Sequence, residues 1–153
     1  MGAEAKLAEL KLELPPVPKP GGIYKPVVQI DNVLYVSGHG PLRPDKTLIT
    51  GKVGSDLTEE EAREAAKITG LAMLASLKAY LGDLDRISRV LKLLGMVNAV
   101  PDFQTHPAVI NGCSELFREL FGEDGVGARS AVGMGSLPGN ISVEIEGIFE
   151  IRG

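Results

Sequence analysis

Tryptophan is absent, only three tyrosines and four phenylalanines occur in 153 residues, and the net charge is −4 with no long basic run. Binding to nucleic acid through its backbone needs a basic footprint, and binding to single strands needs aromatic platforms, so no nucleic-acid partner is expected. Cysteine is nearly absent as well. The single thiol, Cys113, rules out an internal disulfide, and with only His39 and His106 far apart in the chain there is no zinc spacing. A reducing, cytoplasmic setting and no metal are the expectation. Nowhere do about 18 apolar residues run together, so neither a membrane span nor a signal peptide is expected. The phosphate loop and the Gly-x-Ser-x-Gly elbow are missing, and Gly38-His39-Gly40 lacks the third glycine and following helix of a dinucleotide site.

What is present fits one domain of α+β class. Residues 1–22 read as a short helix, Glu4 to Leu12, followed by an extended strap, Pro15-Pro16-Val17-Pro18-Lys19-Pro20-Gly21-Gly22. Residues 23–153 read as the domain proper. It opens with a hairpin, Val27 to Ile30 and Val33 to Ser37, turned by Asp31-Asn32, and Leu48 to Val53 offers a further short strand. Thr58-Glu59-Glu60-Glu61 spells a capping box, and the long helix behind it stops at Gly82. A second helix starts at Pro107, carries Val109, Ile110, Cys113, Leu116, Phe117 and Leu120 as one stripe, and stops at Gly122. Gly112 inside it costs about 1 kcal/mol relative to alanine.

Between the helices, Arg86 to Val100 is apolar at both parities, as in a strand covered on both faces. Two helices cover one face of such a sheet. The other face therefore needs a second copy, and a closed homo-oligomer supplies it.

The chain closes with Gly127 to Gly135, a turn at Leu137-Pro138-Gly139-Asn140, and a period-two strand with Ile141, Val143, Ile145, Phe149 and Ile151 on one parity and Ser142, Glu144, Glu146 and Glu150 on the other. Read as a hairpin pairing Gly135 with Ile141, these runs place Arg129 opposite Gly147 and on the other parity from Glu144. Either a glycine bulge re-registers the strand or the two side chains meet through different subunits. Arg129 is the one long cation among Gly127, Ala128, Ser130, Ala131 and Gly133, neighbours small enough for a ligand to approach it.

Arg129-Ser130-Ala131-Val132, Leu137-Pro138 and Val143-Glu144-Ile145-Glu146, together with Leu34-Tyr35-Val36-Ser37-Gly38-His39-Gly40-Pro41, closely resemble the signatures of the YjgF/RidA family, also called endoribonuclease L-PSP-like. The resemblance runs from Tyr24 to the end. It implies a chorismate-mutase-like fold, a mixed β-sheet with two helices on one face, and a homotrimer whose sheets face the centre, with sites in the clefts between subunits. It further implies that Arg129 holds a substrate carboxylate, that Glu144 positions water, and that the backbone at Ser37, Gly38 and His39 contacts the ligand. The reaction implied is hydrolysis of enamines or imines such as 2-aminoacrylate to a 2-keto acid and ammonia, with no cofactor.

Other family positions differ here. The tyrosine position is Val27, with Tyr24 nearby; the glutamine is His39; the cysteine is Ala131; the asparagine is Ser114, with Asn111 one helical turn away. The truncations at Val27 and Ala131 are expected to widen the pocket. Each residue also has a plainer reading: Arg129 as a surface or ion-paired arginine, Glu144 as a solvated strand carboxylate, His39 as a packing residue, Cys113 as buried and inert. Three functions remain open at this point: an imine deaminase (a hydrolase), a non-catalytic protein that binds a small carboxylate metabolite, and, least favoured by the negative charge, an endoribonuclease or translation inhibitor.

Overall fold

The computed structural model describes residues 1–153. Helix α1 (Ala3–Glu9) is followed by β1 (Val27–Ile30), β2 (Val33–His39), α2 (Glu59–Leu81), β3 (Ile87–Asn98), α3 (His106–Phe121), β4 (Ala128–Met134) and β5 (Val143–Ile151). The five strands form one mixed sheet in the order β1-β2-β5-β3-β4. β3 and β4 pair in parallel, whereas β1–β2, β2–β5 and β3–β5 are antiparallel.

Local chemistry fixes most of the boundaries. Thr58 accepts from the Glu61 amide while the Glu61 carboxylate accepts from the Thr58 amide, both at 3.1 Å, which satisfies two amides that the first turn of α2 leaves free. Gly82 ends the helix at φ +83°, a conformation that costs glycine little. Asp31, at φ +51°, makes the turn between β1 and β2. Leu48 to Val53 forms only isolated bridges, Leu42 with Leu48, Thr50 with Ile141, and Val53 with Leu57 and with Ala99, and adds no strand to the sheet.

The closing hairpin is not formed. The turn itself is as read, with Gly139 at φ +61° and Asn140 at φ +59°, but the strands it joins are not neighbours. β3 lies between them, paired with Ala128 to Met134 on one side and with Val143 to Ile151 on the other. A strand, a helix and a further strand in the same sheet favour parallel pairing. Thus β3-α3-β4 places the small-residue strand β4 at the edge, and the alternating strand β5 fills the gap between β2 and β3.

Both long helices lie on one face. Leu34, Val90, Leu93, Val97, Val143, Ile145 and Phe149 of the sheet are buried with Met73, Leu74 and Leu77 of α2 and Ile110, Leu116 and Phe117 of α3. Glycines permit the close approaches. A Cβ at Gly95 would meet Ile110 Cγ1 at 2.5 Å, and one at Gly112 would meet the Arg63 carbonyl oxygen at 2.0 Å, so Gly112 is the contact point of α3 on α2. Helix α1 belongs to the same body: Ala3 and Leu7 join the core, and Glu4 accepts from Lys78 Nζ at 2.8 Å and from the Leu84 amide at 2.9 Å.

No helix of this chain covers the other face of the sheet. Val28, Ile30, Tyr35 and Val132 are exposed on it, beside half-buried Leu94, Met96 and Ile148. The apolar second parity of β3 is real, and within one chain it faces outward.

Candidate functional site

The sequence-derived site residues fall into two groups, one on each face of the sheet. Arg129 shares a cross-strand row with Leu93 and Gly147, whose side of the sheet is the helix-covered one. From the edge strand its guanidinium reaches α3, donating through Nη1 to Asn111 Oδ1 at 2.7 Å and to Ser114 Oγ at 3.1 Å. One turn of α3 thus supplies both positions that replace the family asparagine, and both hold the arginine. Two neutral acceptors orient the fork without neutralising it. No carboxylate lies within ion-pair distance of Arg129, so the reading of Arg129 as the partner of a nearby carboxylate falls away. The guanidinium lines a cleft of 360 Å³ between α3 and the start of β4, with Leu93, Asn111, Ser114, Glu115, Arg118, Val126 and Gly127.

Glu144 lies in the row of Met96 and Val132, on the open face. Its carboxylate sits directly over Gly38, where a Cβ would come within 2.1 Å of Oε2. Any other residue at position 38 would displace the acid. Burial raises the Glu144 pKa above the ordinary carboxylate value, and the neighbouring charge of Glu146 raises it further. Glu144 lines a groove of 760 Å³ with Tyr24, Ser37, Gly38, Gly40, Leu48, Glu146 and the Pro138-Gly139 turn. The strap closes one side through Gly21 and Gly22, fixed to Tyr24 by a hydrogen bond from the Gly21 amide to the phenol oxygen at 3.1 Å.

His39 does not offer its ring to the groove. Its Nδ1 bonds the Ser37 carbonyl oxygen at 2.6 Å and its Nε2 bonds Ser76 Oγ of α2 at 2.7 Å, and burial lowers its pKa. The packing reading is the correct one for the side chain, while the backbone of Ser37 and Gly38 stays at the groove. Val27 is 7% exposed on the helix-covered face and lines neither cleft, so its truncation does not widen the pocket as expected. Ala131 packs against the core and lines neither. Cys113 is fully buried and its thiol pKa is pushed well up by that burial, which makes it inert.

One supporting network was not foreseen. Buried Asn98 donates to Asn140 Oδ1 at 3.0 Å and to the Ile141 carbonyl at 3.1 Å, and accepts from Lys52 Nζ at 3.0 Å; the same ammonium donates to the Gly135 carbonyl at 2.7 Å. This network pins the segment from Gly135 to Ile141 that walls the Glu144 groove. The one signal for it in the sequence is an asparagine closing an otherwise apolar run, Met96-Val97-Asn98.

A mixed five-stranded sheet carrying two helices on one face, with an arginine and a glutamate on strands that flank β3, defines a class. Residues 4–145 match the family model described as "YjgF/chorismate mutase-like, putative endoribonuclease". The chain belongs to this YjgF/RidA family. It is 38% identical over 149 residues to Protein TCP17 of Trypanosoma cruzi, covering 97% of this chain and 93% of that one. It is 29% identical over 143 residues to a 2-iminobutanoate/2-iminopropanoate deaminase of Dermatophagoides farinae, covering 92% and 95%. The crystal structure of Atu1372 from Agrobacterium tumefaciens superposes with a TM-score of 0.90 at 45% identity, covering 98% of this chain and 92% of that one.

Proposed function

We propose that the protein hydrolyses reactive enamines and their imine tautomers to 2-keto acids and ammonia, in a site formed where the Arg129 cleft of one copy meets the Glu144 groove of another. The observation that carries this reading is the presence in one chain of a pre-oriented, unneutralised guanidinium and of a partly desolvated carboxylate of raised pKa. The similarity to a named imine deaminase supports the substrate class.

In this reading the substrate carboxylate lies on the Arg129 fork, whose charge-assisted bonds fix the 2-imino carbon in space. Glu144 accepts a proton from water as the water oxygen adds to that carbon, and passes it to the imine nitrogen. The tetrahedral carbinolamine then collapses: Glu144 takes the hydroxyl proton and delivers it to the amino nitrogen as the C–N bond breaks, and ammonia departs from the 2-keto acid. A base whose pKa is raised toward neutrality suits both transfers.

The register supports completion by a second copy. The ladder between β3 and β5 runs unbroken from Leu93–Gly147 to Val97–Val143, and the irregularities fall elsewhere, at Ile87/Arg89, Val90/Lys92 and Val36/His39. No bulge brings Arg129 and Glu144 to one face. The exposed apolar face that carries Glu144 is the surface a neighbouring copy would cover in a homotrimer.

A second reading, a non-catalytic protein that binds a small carboxylate, is favoured by the same opposition of Arg129 and Glu144 if no copy completes the site. Release of ammonia and keto acid from freshly generated 2-aminoacrylate and from a panel of imines made by an amino-acid oxidase separates the two. Faster release with protein than in buffer supports the deaminase. Carboxylate binding at Arg129 with no acceleration leaves the binding protein.

A further inference from the structure

A second guanidinium lines the cleft of Arg129. Arg118 stands one turn beyond Ser114 on α3, on the helix side that also carries Asn111 and Ser114, and with them it walls the 360 Å³ cleft. Its side chain makes no ion pair and no hydrogen bond within the chain. The one acid on the cleft wall, Glu115, is already held by Arg63 of α2 at 2.5 Å. The cleft therefore presents two unneutralised cations, and a monocarboxylate answers only one of them.

We infer that the Arg129 cleft is specific for dicarboxylates, with the carboxylate beside the 2-imino or 2-oxo group on Arg129 and a side-chain carboxylate of the same ligand on Arg118. The inference rests on the reading of Arg129 as the carboxylate anchor and names the substrate class for it: imines of acidic amino acids, which arise where such amino acids are oxidised at the α-carbon.

Calorimetry with 2-oxopentanoate and 2-oxoglutarate tests it, because the two ligands differ only in the second carboxylate. The wild-type protein should bind 2-oxoglutarate about three- to tenfold more tightly, the scale of one partly exposed charge pair, and the preference should shrink as salt is raised. Arg118→Gln, a change at an exposed position, should erase the preference and leave 2-oxopentanoate affinity unchanged, and Arg118→Lys should restore part of it. Equal affinity for the two ligands in the wild type, or a preference that survives in Arg118→Gln, overturns the inference while the anchor stands. Binding of both ligands that Arg129→Ala leaves untouched, or no binding of either, overturns the anchor as well.

Discussion

Arg129 and Glu144 stand on opposite faces of one sheet, three positions apart along β3, the first in the row of Leu93 and the second in the row of Met96. At about 3.3 Å per residue this is ~10 Å along the strand, with the sheet itself between the side chains. Neither side chain can reach a ligand that the other holds within the same chain. Each half is nonetheless built with care: two polar acceptors fix the guanidinium, and a glycine clears the space over which the carboxylate lies.

In the proposed reaction the planar fork is the part of Arg129 that holds the substrate. Arg129→Ala should weaken binding of 2-oxobutanoate by about ten- to hundredfold, the range expected when a hydrogen-bonded charge contact is lost. Arg129→Lys should recover little, because an ammonium keeps the charge and loses the bidentate geometry. Calorimetry on the three proteins, with melting curves that stay close to wild type, checks this.

Glu144 gives a signature in pH. Its pKa is raised by burial and then by Glu146, so the ionised base is lost on acidification at a higher pH than an ordinary glutamate would show. The acid limb of kcat/KM should lie above the usual carboxylate range, and Glu146→Gln should move it down by removing the neighbouring charge. Glu144→Gln should keep carboxylate affinity within a few-fold and lower turnover by about two to four orders of magnitude. An acid limb that stays in place in Glu146→Gln would assign the titration to another group.

Much of this architecture is legible in the sequence, and the misreadings have identifiable causes. The capping box at Thr58, the stop at Gly82, the Asp31 turn and the stripe of α3 are local, and local chemistry decided them. The pairing of β4 with β5 was misread because the turn at Pro138-Gly139-Asn140 is a real reversal, whereas sheet order is set by long-range packing. The helix lying between β3 and β4 was the available cue to parallel pairing. Parity is the strand property most directly written in sequence, so the separation of Arg129 from Glu144 survived even though the strand between them was not foreseen. The roles of Gly112, Asn98 and Arg118 depend on what another element brings to them, and no local pattern encodes that.

Gly112 illustrates the point in energy. Replacing a mid-helix glycine by alanine gains about 1 kcal/mol from helix propensity alone. Here the added Cβ would meet the Arg63 carbonyl oxygen at 2.0 Å, and a backbone atom cannot step aside as a side-chain tip can. Overpacking costs about 1–3 kcal/mol, so Gly112→Ala should destabilise the fold on balance. Gly135→Ala, with nothing within 4 Å of the new atom, is the neutral comparison. Denaturant melts of both variants decide the sign.

His39 should make stability fall on acidification. Burial lowers its pKa below the ordinary histidine value of 6.5, so the native state favours the neutral ring and the unfolded chain takes up the proton first. This contribution is complete above the unfolded value and is lost as pH falls through it toward the native one. His39→Gln should flatten the dependence of unfolding free energy between about pH 7 and pH 5, which chemical denaturation across that interval would reveal.

The most direct test of a site shared between copies is complementation. Arg129→Ala and Glu144→Gln chains are each expected to be inactive alone. Co-expressed in equal amounts, they should assemble into closed rings in which about a quarter of the clefts combine an intact Arg129 from one copy with an intact Glu144 from the next. Imine hydrolysis should return to about that fraction of the wild-type rate. A mixed preparation as inactive as either variant, or a protein that sediments as a stable monomer at micromolar concentration, would contradict the shared site.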